Sequence, residues 1–159
     1  MPDIELHSDK YKNLLASHAI MGEKTKVQNQ TSQSLDSKIG VLLGFCAAIL
    51  TGFVAILVTK ASLLGLNFFT LGVVCVLTSF LLLVLAARTR TYYDYPLIES
   101  LQTEVVVELS SNDFLEGIID SSIECYAYNA SVNVKKAQLY DGAIWTMLVG
   151  VFFVFLGII

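Results

Sequence analysis

Three stretches of the chain contain no charged residue: Gly40 to Val58, roughly Leu64 to Ala87, and Ala143 to Ile159. A helix crosses the hydrocarbon core with about 20 apolar residues, and about 17 is the lower limit. The first two stretches suffice and the third just reaches. The pattern predicts spans over about 40–58 and 64–87, forming a hairpin through Thr59 and Lys60, and a third span over 143–159. Because Phe152 to Ile159 is apolar throughout, either the terminal carboxylate sits at the interface or the sequence is trimmed there. The first stretch is not a signal peptide. It begins near residue 40, behind too long a polar lead, and no small-residue cleavage site is followed by a polar start.

Outside these stretches the pattern is that of amphipathic helices. From Ile4 to Met21, the residues Ile4, His7, Tyr11, Leu14, Leu15 and His18 share one face, with Glu5, Asp9 and Lys12 elsewhere. Such a helix docks on protein or lies on lipid, and its mixed-sign polar face favours docking. Residues 22–34 are polar and amide-rich, either a linker or a solvated helix continuing into the first span. Asp36 then suits a helix start and Lys38 can snorkel.

Between the second and third spans, Pro96 suits a first helical position. Leu97, Leu101, Val105 and Leu109 recur at four-residue steps, although Val105 to Val107 also permit a short strand. Ser110 to Asp113 break that helix, and Asp113 and Glu116 stand at capping-box spacing for the next. A second stripe follows: Ile119, Ile123, Tyr126, Ala130, Val134, Ala137 and Ile144. With no proline after Asp113, one long helix, bent at Gly117 or Gly142, is expected to run into the third span. It would carry a cytoplasmic change into the membrane, unless the chain breaks between Asn133 and Gly142. The predicted architecture is all-α. It has an N-terminal amphipathic helix and polar linker (1–39), a transmembrane hairpin (40–87), a cytoplasmic helical region (88–142) and a third span (143–159).

Composition reinforces the membrane assignment. The chain is 55% hydrophobic and only 15% charged, with mean hydropathy +0.65. That leaves too few polar residues to wrap three charge-free helices in water. Lysine and arginine set the orientation: five lie before the first span, one in the hairpin and four between the second and third spans. The N-terminus and residues 88–142 are therefore expected in the cytoplasm and the C-terminus outside the inner membrane. Residues 88–142 hold nine carboxylates against four bases, which argues against nucleic acid as a partner. Tyr92, Tyr93, Tyr95, Tyr140 and Trp145 fall where aromatic rings anchor at the headgroups, although Tyr93 and Tyr95 suit cytoplasmic packing equally well.

Candidate chemistry is sparse. No phosphate loop, zinc-protease helix or nucleophile elbow occurs, and Cys46, Cys75 and Cys125 lack metal-ligand spacing. His7 and His18 lie about 16 Å apart along a helix, too far to share a metal ion. Glu116, Asp120 and Glu124 form an acidic row that reads foremost as a solvated face. Without an ionisable residue inside the spans, a pump is disfavoured. A pore lined by Thr51, Thr70, Thr78, Ser79 or Thr146 after assembly stays open. No enzyme, cofactor or metal is expected.

The strongest motif is a ridge of small residues in the first span, Gly40, Gly44, Ala48 and Gly52, at four-residue intervals. Gly142, Thr146 and Gly150 repeat it in the third span. In lipid such ridges let helix backbones approach and gain dispersion contacts. They serve either packing among the three spans or self-association into a homo-oligomer.

The run Leu35-Asp36-Ser37-Lys38-Ile39-Gly40-Val41-Leu42-Leu43-Gly44 resembles the start of the transmembrane domain in bacterial Pycsar membrane effectors and the related SLATT effectors, through Asp36, Lys38, Leu43 and Gly44. Lys135-Lys136-Ala137-Gln138-Leu139-Tyr140 looks like their closing segment, so the layout matches from Leu35 to Ile159. The resemblance implies an antiphage effector that permeabilises the inner membrane when a cyclic nucleotide or a protein sensor reaches its cytoplasmic part. The family's nucleotide-binding residues cannot be placed, since Arg88, Arg90, Lys135 and Lys136 are the bases available for a phosphate. Two other classes compete: an accessory subunit of a larger membrane complex, and a small channel without a defence role.

Overall fold

The computed structural model describes residues 2–60, 66–89 and 111–158. Three helices account for all of these but Thr89: α1 (Pro2–Lys60), α2 (Leu66–Arg88) and α3 (Ser111–Ile158). Each contains a segment long and apolar enough to cross a membrane. The all-α, three-span architecture read from the sequence is the one observed. Tyr92, Tyr93, Tyr95 and the helix expected after Pro96 lie outside the described residues.

Chain chemistry explains the lengths. Pro2 opens α1 where a missing N–H costs nothing, and no further proline interrupts it or α3. Residues 22–34, which the sequence left as linker or continuing helix, are helical. At roughly 88 Å, α1 far exceeds the hydrocarbon thickness of about 30 Å. α3 is likewise unbroken from Asn133 through Gly142. It begins at Ser111, so Asp113 lies within its first turn, where a carboxylate favours the positive helix end. α2 closes on Thr89, whose hydroxyl donates to Ala86 O at 2.7 Å and occupies a terminal carbonyl.

The chain forms two compact units: Met1–Ser32 with Thr91–Val132, and Gln33–Arg90 with Asn133–Ile159. In the second unit all three helices meet. Ile39, Cys46, Leu83, Ala86, Ala143 and Met147 form one buried cluster, and Phe53, Phe69, Val76 and Val154 another. The buried positions of α2, Phe69, Gly72, Val76, Ser79, Leu83 and Ala86, alternate by three and four. On α1, Ile39, Cys46 and Phe53 recur every seven. This 3.5-residue period is that of a left-handed coiled-coil seam. Outward faces carry Phe68, Leu77, Leu81, Phe152 and Phe155, the large apolar side chains that lipid accepts.

In the first unit the α3 residues that are buried are Ile118, Ser122, Asn129 and Val132. The apolar stripe expected from the sequence is displaced by one position, and two of its members, Ile123 and Val134, are exposed. Choosing apolar residues selects the wrong row because this seam is partly polar. On α1 the matching buried residues are Gln28 and Ser32.

Candidate functional site

The tightest approach in the membrane unit is between α2 and α3, and glycine permits it. A Cβ on Gly72 would lie 2.5 Å from Val154 Cγ2 and 2.7 Å from Gly150 O. One on Gly150 would meet Val76 Cγ2 at 2.8 Å and Gly72 O at 2.9 Å, and one on Gly157 would meet Phe69 N at 2.6 Å. Ser79 fixes the register by donating its hydroxyl to Ala143 O at 2.7 Å. Cys46 of α1 joins them, with its Sγ 3.5 Å from Met147 Sδ and 3.8 Å from Ser79 Oγ. Phe53 meets Phe69 edge-on at 5.9 Å.

The two small-residue ridges differ in use. On α3, Gly150 lies in the seam with α2 and a Cβ on Gly142 would make ordinary contact with Leu82 at 3.8 Å. Thr146 is half-buried and donates to Gly142 O at 2.9 Å, so its hydroxyl is satisfied within the helix. On α1, Gly40, Gly44, Ala48 and Gly52 are all exposed, and a Cβ on any of these three glycines would find nothing within 4 Å. Thr51 lies beside this ridge, its hydroxyl donating to Ala47 O at 2.9 Å. The α1 ridge is opposite the buried row Ile39, Cys46, Phe53, and no part of the three-helix unit uses it.

One residue of the family-like motif, Asp36, meets the closing segment across the chain. Lys136 Nζ lies 2.7 Å from Asp36 Oδ1, with the lysine side chain 0% exposed and the aspartate 26%. A lysine sealed from water needs such a partner, and removing one member of a buried pair is far more costly than replacing both with apolar groups. The sequence places Asp36 near a helix start and Lys136 among the bases available for a phosphate, with nothing to join them. Leu43 packs against the Ile39–Cys46 cluster, while Lys38 is exposed. Of the expected anchors, Tyr140 also packs on that cluster, and Trp145 is 69% exposed on the outer face.

In the first unit, Lys10 Nζ sits 2.7 Å from Glu116 Oε1. The hydrogen bond and charge of Glu116 hold the lysine above its usual pKa. The lysine therefore stays charged at neutral pH, its contribution is lost as pH rises past the ordinary lysine range, and the exposure of the pair limits its value. Asp120 and Glu124 are exposed. Of the face expected on the N-terminal helix, Leu14 and His18 are half-buried and Leu15 is exposed, while the side chains of Ile4, His7 and Tyr11 lie outside those described. Among the described residues no group of three His, Cys, Asp or Glu could hold a metal ion.

Gln28 is 92% buried, and its Nε2 donates to Tyr126 O at 3.1 Å while its Oε1 has no partner. An unsatisfied buried acceptor costs about 1–3 kcal/mol, and Tyr126 O still accepts its own helical bond without Gln28. Gln28→Leu is therefore expected to raise stability by about 1 kcal/mol. Denaturant titration in mild detergent, following helical signal, checks the sign. Destabilisation would mean that bound water completes the glutamine's bonds.

A family model for the Pycsar effector protein domain matches residues 22–159. That span reaches further toward the N-terminus than the resemblance from Leu35. No curated protein and no solved structure matches the chain.

Proposed function

This chain belongs to the Pycsar effector family of transmembrane proteins in cyclic-nucleotide-based antiphage systems, and on that premise we propose that it permeabilises the bacterial inner membrane by self-assembly through α1. The observation that carries the reading is the contrast between outward faces. Those of α2 and α3 present large apolar side chains to lipid, as at Leu77, Leu81, Phe152 and Phe155. That of α1 also exposes Val41, Phe45, Val54 and Val58, but among them runs a ridge of Gly40, Gly44, Ala48 and Gly52 over open space. Lipid gains little from a helix groove without side chains, whereas a second helix fills it with close backbone contact. Hydroxyls beside the ridge, such as Thr51, would lie near the resulting helix contact and offer polar groups to permeating ions. The lysine and arginine distribution supports a cytoplasmic N-terminus and an external C-terminus, so the first unit would face the signal.

Regulated expression in bacteria, read with a membrane-potential dye and propidium entry, tests the reading. Depolarisation is expected once the partner nucleotide signal is supplied. An intact potential with the signal present and the protein in the membrane would overturn it and favour an accessory subunit, which co-purification of a stoichiometric membrane partner would identify.

A further inference from the structure

The polarity of the buried rows changes at Asp36 and Lys136. Among the described side chains of α1, the buried ones on the N-terminal side of Asp36 are Gln28 and Ser32, and on the C-terminal side Ile39, Cys46 and Phe53. On α3 the described buried residues before Lys136 are Ile118, Ser122, Asn129 and Val132, half of them polar, while Ala143, Met147 and Val154 follow it. Buried polar contacts exchange with water at little net cost, because water replaces each hydrogen bond given up. Apolar contacts have no such substitute. A charge pair at this boundary favours one register of α1 on α3, since any shift that parts it separates a buried lysine from its carboxylate. It adds little stability over an apolar pair of the same size. Unlike an apolar pair, it can be released by hydration, and the partly exposed Asp36 gives water a route to an otherwise sealed lysine.

We propose that the Asp36–Lys136 ion pair is the latch of the resting effector, and that triggering separates it. The proposal rests on the permeabilising reading above and adds its regulation. Two states differing in one hydratable contact form the bistable element that a ligand or partner can bias. In the resting state the charges neutralise each other, and in the active state both are hydrated.

Four forms of the full chain test this: wild type, Asp36→Asn, the charge swap Asp36→Lys with Lys136→Asp, and the apolar pair Asp36→Leu with Lys136→Met. Each is expressed without the nucleotide signal and then with it, and each is purified into nanodiscs for hydrogen–deuterium exchange. Asp36→Asn is expected to depolarise cells without signal, at an inducer level about tenfold below that needed by wild type. Its exchange should rise across residues 25–39 and 129–140. The swap should restore quiescence and slow exchange, and the apolar pair should stay quiescent even with signal. An Asp36→Asn threshold and exchange equal to wild type would overturn the latch. So would loss of the single variant and the swap alike from the membrane fraction, which would make the pair a folding requirement. If signalled wild type fails to depolarise, the permeabilising reading fails, and the exchange profiles alone decide whether the pair is a latch.

Discussion

Gly72→Leu and Gly150→Leu are expected to empty the membrane fraction of folded protein. Inserting bulk into a packed core costs typically 1–3 kcal/mol when neighbouring side chains can turn aside. Here the first added atom would already meet backbone, with Gly150 O 2.7 Å from a Cβ on Gly72 and Gly72 O 2.9 Å from one on Gly150. Backbone inside a helix cannot rotate away, so α2 and α3 would have to part. That would loosen the Ser79 to Ala143 bond and the contacts of Val76 and Val154 in the same seam. A loss of about 3 kcal/mol or more is expected, a large fraction of the 5–15 kcal/mol typical of a folded domain. Quantitative blotting of membrane fractions and thermal unfolding in detergent would report it. Normal accumulation with unchanged unfolding would mean that α2 and α3 do not approach through these glycines.

The sequence reveals where lipid lies more readily than how the helices turn within it. Charge-free stretches placed the second span within two residues of α2, because burial in hydrocarbon leaves a contiguous mark. They marked only part of α1 and α3, whose remaining turns are polar and continue because nothing stops them. Within a span that is apolar all round, hydrophobicity carries no rotational information. The α1 ridge was therefore legible as a motif, while its direction, inward or outward, was not. Gly72 and Gly157 carry no directional mark for the same reason, although Gly157 follows Gly150 by seven residues. In the first unit the seam carries Gln28, Ser32, Ser122 and Asn129, so apolar periodicity does not mark it. The Asp36–Lys136 pair spans a separation of 100 residues and leaves no local trace.

Gly44→Leu combined with Gly52→Leu is expected to keep the fold and abolish permeabilisation, the opposite outcome from Gly72→Leu by an identical chemical change. A Cβ on Gly44 or Gly52 meets nothing within 4 Å, so leucine extends from α1 without touching α2 or α3. Replacing glycine also adds about 1 kcal/mol of helix propensity per site, which favours α1. Membrane abundance and unfolding should therefore equal or exceed wild type. Between two copies the effect reverses. Close crossing of small-residue ridges depends on the absent side chains, and two leucines about two turns apart on the ridge would hold the backbones at ordinary side-chain spacing. Cross-linking in native membranes should shift from oligomer to monomer, and dye uptake after signalling should fall to that of uninduced cells. Full permeabilisation by a well-folded leucine variant would place the assembly surface elsewhere than on α1.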